Sequence, residues 1–338
     1  MTTLVALATK DALVMGCDSL GTVTKSLLDP LDLLDRFFNP EDGNLKIDGQ
    51  GAPILKNFYD IYGKAQEIPF NQMTHVGKLH PLTPLPMGVM STGIASIGNR
   101  TIKSLINEFK EKRGTVRRPK RRKVPNTTEG IANELLAFIA DYYVKEYEKW
   151  QVKPYLELMI GGYSQREPFP EIFRIFLNQP NVVRAFTADN PFGIVFGGQM
   201  QEIQRIVFGT DYLNSLRLEA RVEELIEKYR KLLKDLLNTK GIGEELPGYA
   251  EYKDELSLFK DWSLNGFDAN WGDFSEQNAV ECVDFFVEVM ARSQQLSSHL
   301  PTVGGEIHIG LITKEKGFKF ISKELLVHKG HETMLAGD

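Results

Sequence analysis

Cysteine is almost missing from this chain, with Cys17 and Cys282 the only two in 338 residues. Both sit in apolar contexts, which excludes a disulfide framework and reads as small core residues in a reducing compartment. Long apolar runs are missing too: no stretch approaches the roughly 18 residues that a membrane span needs. Lys10, Asp11 and Asp18 interrupt the stretch that a signal peptide would keep apolar. The six histidines (His75, His80, His299, His308, His328, His331) show no ligand spacing, so metal catalysis has no support and no cofactor is implied. Neither sign of charge dominates. A net charge of −5 and a pI near 5.8 give no reason to expect bulk nucleic-acid or membrane binding. No repeat of fixed period and no low-complexity tract is visible. The expectation is a cytoplasmic globular protein with chain enough for a sizeable core.

What is present is a series of apolar strands and helical periods, interrupted twice. Residues 4–8 and 12–17 flank a polar Thr9-Lys10-Asp11 turn and read as a strand hairpin. Residues 26–74 carry breaker chemistry at Asp29-Pro30, Asn39-Pro40 and Gly49-Gln50-Gly51, and read as an insertion with one short helix near 31–38. Strand character returns at 74–82 and 87–92. Gly93 then leads into a helix over 95–112, where Ile97, Ile102, Leu105, Ile106 and Phe109 keep a helical period. A second helix spans 128–150. Residues 155–162 and 171–177 form another hairpin-like pair, and 193–197 run into a helix from Gln199. A second insertion covers 212–272 around a charged helix at 216–237. A helix at 275–295 and strands at 306–313 and 318–321 close the chain. This order predicts a single α+β domain over residues 1–338, with two antiparallel sheets between helix layers 95–150 and 199–297; a parallel βαβ alternation does not fit.

The chemistry gathers near the N-terminus. Thr2 follows Met1, and its side chain is small enough for methionine removal to expose it, with no longer propeptide expected. A terminal threonine carries a hydroxyl nucleophile and its own proton acceptor, an α-amine of unperturbed pKa about 7.7–8.0. The hairpin ends on Asp18, a carboxylate where a buried strand would ordinarily continue. Lys78 lies among apolar residues on an expected strand, so its ammonium needs a carboxylate partner, and Asp18 is the candidate. Lys46 is a rival, but no apolar strand ending in glycine and a helix follows it at the right distance. Gly93, read as the start of a helix, can aim its N–H at a developing oxyanion.

These residues resemble the proteasome β-subunit family of N-terminal nucleophile hydrolases, including the bacterial relatives HslV and Anbu. The Thr2-to-Asp18 spacing matches that family without a gap. Lys78-Leu79 followed by Ser91-Thr92-Gly93-Ile94-Ala95 resembles its lysine strand and Ala-Gly helix start. Leu158-Met159-Ile160-Gly161-Gly162-Tyr163 looks like its central hairpin, and Gly304-Gly305-Glu306-Ile307 like its closing strand. The resemblance implies a four-layer αββα sandwich and a threonine peptidase or amidohydrolase, with Thr2, Asp18, Lys78 and Gly93 catalytic. Gly21 and Thr22 would then pair with an extended peptide, and Ser91 and Ala95 would line the specificity pocket. It also implies a homo-oligomer acting on peptide or protein substrates. The departures are specific. The turn where the family carries a supporting serine reads Gly197-Gly198-Gln199, and the late Asp-x-x-Ser-Gly-Gly reads Leu300-Pro301-Thr302-Val303-Gly304-Gly305. A second function class therefore stays open: a non-catalytic or non-proteolytic relative, acting in assembly or in acyl transfer on a small amide.

Residues 113–123 contain seven Arg or Lys on a connection broken by Gly114 and Pro119. The bland reading is a solvated loop. The sharper one is docking to an ATP-dependent unfoldase or another acidic partner surface. Aromatic interleaving is absent, so nucleic acid is a poor fit.

Overall fold

β1 (Thr3–Ala8) and β2 (Leu13–Asp18) are buried at every position, which explains why their sequences, apart from Thr3 and Asp18 at one end, are apolar runs that do not alternate. Thr9 closes the hairpin between them: its N–H donates to the Ala12 carbonyl at 2.9 Å and its hydroxyl accepts from Ala12 N–H at 3.0 Å. The computed structural model describes residues 2–27, 34, 36–39, 41–55, 66–115, 126–150, 152–165, 167–240, 269–297 and 300–322. The remaining strands are β3 (Gly21–Leu27), β4 (Gln66–Met73), β5 (Leu79–Pro81), β6 (Met87–Gly93), β7 (Ser96–Ile97) and β8 (Arg100–Thr101), then β9 (Leu156–Tyr163), β10 (Pro170–Phe176), β11 (Asn181–Arg184), β12 (Gly193–Gly198), β13 (Ile307–Thr313) and β14 (Gly317–Ser322). The α-helices described along their whole length are α1 (Ile102–Thr115), α2 (Thr128–Tyr147), α3 (Gln201–Phe208), α4 (Tyr212–Thr239) and α5 (Glu276–Gln295).

Two five-stranded sheets result, in the orders β12-β1-β2-β13-β14 and β11-β10-β9-β6-β5, with every neighbouring pair antiparallel. The two share a core: Leu4, Ala6, Leu13 and Met15 of the first sheet pack with Met90 and Met159 of the second. The alternate residues face outward. Val5, Leu7 and Val14 meet Ile203 of α3 and Val283 and Val287 of α5. Val89, Leu158 and Ile160 meet Leu105 and Ile106 of α1 and Leu135 and Ile139 of α2. Gly16 sets how closely α5 approaches β2, because a β-carbon there would stand 2.3 Å from Val283 Cγ1. No helix among the described residues is long and apolar enough to cross a membrane.

The expected hairpin, the paired strands at 155–177 and the closing strands form as read, to within a residue or two. Three expectations need correction. The helix expected from 95 begins only at Ile102, because residues 96–101 form the small β7–β8 hairpin and Thr101 Oγ1 accepts from Ser104 N–H at 3.1 Å to cap the helix. The strand expected over 74–82 shortens to β5. Its first half leaves the sheet, with Val76 N–H on the Ser19 carbonyl at 2.9 Å. The borders of the expected insertion at 26–74 are themselves strands, since β3 pairs with β4 from Gly21–Met73 to Leu27–Gln66. Residues 31–33 and 35 of the expected short helix, 116–123 of the basic run and 241–268 of the second insertion lie outside the described residues.

Candidate active site

β1 begins at Thr3. Thr2, 5% exposed, precedes its first paired residue, and the Thr2 carbonyl accepts from Gln199 N–H at 2.8 Å. Side chains alternate along a strand, and Leu4 and Ala6 face the second sheet, so Thr2 faces it as well. Thr3 turns the other way, its hydroxyl donating to the Gln199 carbonyl at 2.8 Å.

Asp18 lies level with Thr3 at the end of β2. Its Oδ1 accepts from Thr3 N–H at 3.0 Å and from Lys78 Nζ at 2.9 Å. Its Oδ2 accepts from the N–H groups of Leu20 and Gly304, each at 3.2 Å. Lys78 also donates to the Leu20 carbonyl at 2.7 Å. The carboxylate is fully buried and Lys78 is 5% exposed, so the pair is removed from water with its polar atoms hydrogen-bonded, the condition under which a buried ion pair is tolerable. Lys78 sits immediately before β5, and its carbonyl takes Ser91 N–H at 3.0 Å. The sequence expectation of a Lys78–Asp18 pair is therefore met, one residue from Thr2.

Gly93 ends β6 and does not open a helix, so the helix-dipole part of the expectation falls. What remains is a backbone amide of defined direction. Ile94 N–H donates to the Tyr155 carbonyl at 3.0 Å toward β9, whereas Ser91 N–H points toward β5. N–H directions alternate along a strand, so Gly93 N–H points the same way as Ser91, to the side from which residues 74–77 have diverged. Glycine is required there: its φ is +104°, and a β-carbon would stand 2.1 Å from the Tyr155 carbonyl oxygen. Gly21 and Thr22 open β3 directly after Leu20, whose carbonyl Lys78 holds. Ser91 is half-buried beside Lys78, and Ala95 lies exposed between β6 and β7.

Cys17, next to Asp18, is no rival nucleophile. Burial pushes its thiol far above the usual range; Lys78 works against that shift and Asp18 with it. No group of three or more His, Cys, Asp or Glu side chains among the described residues could hold a metal ion.

Three residues lie in segments that the sequence reading singled out, but their contacts went unread. Gln199 clamps residues 2 and 3 through its backbone, and its side-chain oxygen accepts from Thr302 Oγ1 at 2.9 Å and from Gln294. Gly304 closes over Asp18 with its N–H, and its carbonyl takes the Ser19 and Leu20 N–H groups at 3.1 and 2.9 Å. Thr92, buried on β6, faces the Thr2 end of β1. The Gly-Gly pairs at 197–198 and 304–305 were the available signal, since both sit where backbone approaches backbone.

No protein-family model matches the chain, and no curated protein matches it in sequence. Solved structures of Anbu, the ancestral beta-subunit, align with it. The protein from Yersinia bercovieri covers 95% of this chain and 88% of its own, at 13% identity and a TM-score of 0.44. The Gly-1 mutant from Hyphomicrobium sp. strain MC1 covers 95% and 87%, at 13% identity and 0.46. A second Anbu structure from that strain covers 95% and 87%, at 13% and 0.42. Similarity at this level fixes neither family nor activity.

Proposed function

We propose that this chain is a proteasome-like threonine hydrolase of the N-terminal nucleophile type, cleaving peptide or amide bonds from a four-layer αββα sandwich. The observation that carries the reading is Asp18 Oδ1, which ties the Lys78 ammonium at 2.9 Å to the Thr3 N–H at 3.0 Å, one residue from a buried threonine. Once Met1 is removed, the Thr2 α-amine is free to accept the hydroxyl proton as Oγ attacks an amide carbonyl. The positive charge of Lys78 lowers the cost of the developing alkoxide, and Gly93 N–H receives the oxyanion of the tetrahedral adduct. Collapse of the adduct breaks the C–N bond, and the α-ammonium returns its proton to the leaving amine. Water, deprotonated by the same amine, then hydrolyses the Thr2 ester and restores the hydroxyl. Gly21 and Thr22 on one side, and Ser91 and Ala95 on the other, form the walls along which an extended substrate runs.

A homo-oligomer belongs to this reading. Leu218, Leu225, Leu232 and Leu236 along α4 are each at least 41% exposed, more apolar surface than a helix ordinarily leaves to water. The second reading, an assembly protein or a small-amide acyltransferase, is favoured by the missing hydroxyl at Gly197-Gly198-Gln199. Covalent labelling separates the two. A peptide epoxyketone adds to Thr2 of the processed hydrolase and not to Thr2→Ala; a processed wild type that neither labels nor cleaves a broad peptide library belongs to the second reading.

A further inference from the structure

Gly198 leaves space beside Thr2, and a residue from the facing sheet borders it. A β-carbon on Gly198 would stand 1.9 Å from the Thr2 carbonyl oxygen and 2.8 Å from Thr92 Oγ1. Thr92 belongs to β6 and is 4% exposed. Thr2 lies opposite Gln199, one step beyond the Thr3–Gly198 pair, with Gln199 N–H on its carbonyl at 2.8 Å. In such a hydrogen-bonded antiparallel pair, a residue's nitrogen and carbonyl point toward the same neighbour. The Thr2 nitrogen therefore faces β12, the side on which the Thr92 hydroxyl lies. The Gln199 carbonyl, the ladder partner for that nitrogen, already takes the Thr3 hydroxyl at 2.8 Å.

We propose that the Thr92 hydroxyl holds the free α-amine of Thr2 and orients it toward Thr2 Oγ, supplying from the second sheet the hydroxyl that the turn at 197–199 lacks. The proposal rests on the threonine-hydrolase reading. The charged groups around this point are otherwise engaged. Asp18 from β2 accepts from Lys78 and three backbone N–H groups. Glu157 on β9, opposite Thr92, comes within 3.2 Å of a Gly197 β-carbon position, but Arg174 Nε from β10 holds its carboxylate at 2.7 Å and the Tyr155 hydroxyl donates to it. His308 of β13 lies opposite Cys17, one residue before Asp18. Thr92 brings a neutral hydroxyl among these charges, and the Thr3 hydroxyl is already engaged on the Gln199 carbonyl. As a positioning residue it acts on the proton acceptor and leaves the oxyanion alone.

The test uses the processed chain with Thr2 at its terminus. Trace acetylation of the N-terminal amine by acetic anhydride across pH reads the titration of that amine whether or not the site turns over. A β-lactone reads acylation of Thr2 Oγ. Thr92→Val, close to threonine in shape, is expected to move the amine's midpoint by about one pH unit and to slow β-lactone acylation about ten- to a hundredfold. Thr92→Ser is expected to restore both; Thr92→Ala replaces the valine variant if valine lowers the thermal midpoint. An unchanged midpoint in every variant overturns the proposal, as does equal slowing in Thr92→Val and Thr92→Ser. If β-lactone adds to no form while Thr92→Val still moves the midpoint, the hydrolase reading fails and the positioning by Thr92 stands.

Discussion

Lys78 Nζ and Asp18 Oδ1 meet at 2.9 Å across 60 residues of chain, and both side chains are withdrawn from water. The same carboxylate also collects the N–H groups of Thr3, Leu20 and Gly304, so one group fixes β1, β2, the start of β3 and the loop before β13. Its loss should therefore be felt in folding as well as in chemistry.

Lys78→Ala is expected to abolish turnover and to cost about 3 kcal/mol in stability, the usual penalty for stranding one half of a buried pair. Lys78→Arg should not restore activity, because a planar guanidinium cannot replace a compact ammonium held between Asp18 and the Leu20 carbonyl. Steady-state rates and denaturant midpoints check both. An active Lys78→Ala protein rules the lysine out of the mechanism.

Thr2→Ala should leave the fold intact, with a thermal midpoint within a few degrees of wild type, because removing one small side chain at a strand entrance exposes little. Turnover and covalent labelling should both vanish. A large fall in midpoint would make Thr2 structural.

Maturation should be visible by mass. Purified active protein is expected to begin at Thr2 by N-terminal sequencing, since an α-amine still in peptide linkage cannot accept a proton. Full activity in protein that retains Met1 contradicts the mechanism.

Gly198→Ser would place a hydroxyl at the turn, yet it is expected to damage the site. The new β-carbon falls 1.9 Å from the Thr2 carbonyl oxygen, at a φ of +71° that serine adopts poorly. Labelling of Thr2 should drop by at least about tenfold, with a lowered thermal midpoint. Faster labelling in this variant would mean that the space beside Thr2 is not closed by Thr92.

Asp211 offers a stability test away from the site. Burial opposes its ionisation, but the hydrogen bond from Asn214 N–H at 2.8 Å and the ion pair with Arg205 at 2.6 Å outweigh it, holding the carboxyl below its usual range. A lowered folded-state pKa stabilises above the unfolded value and loses that effect as pH falls through the folded one. Asp211→Ala should thus cost about 1 kcal/mol near neutral pH as a lost cap of α4. The gap between the two proteins should close below about pH 4. A gap in thermal midpoint that is the same at pH 7 and pH 3 would count against this account.

Sequence alone determined the elements whose cause is local. The β1–β2 hairpin follows from two apolar runs about a Thr9 turn, and α2 and α5 from helical periods with polar caps at Thr127 and Ser275. The Lys78–Asp18 pair was also legible, because an ammonium and a carboxylate each set among apolar residues leave few ways to be satisfied. Tertiary structure decided what depends on approach between distant segments. Ile97 reads as the first member of the apolar period kept by Ile102, Leu105, Ile106 and Phe109, yet β6 continues through Gly93 and the β7–β8 hairpin intervenes, so the helix waits for the Thr101 cap. Thr92 reads as one more strand residue until Gly198, 106 positions later, leaves room beside it. Gln199 looks like a helix-start residue until its backbone takes hold of Thr2 and Thr3. Hydrophobic period is written into neighbouring residues, whereas a glycine's empty volume has meaning only once another chain segment stands against it.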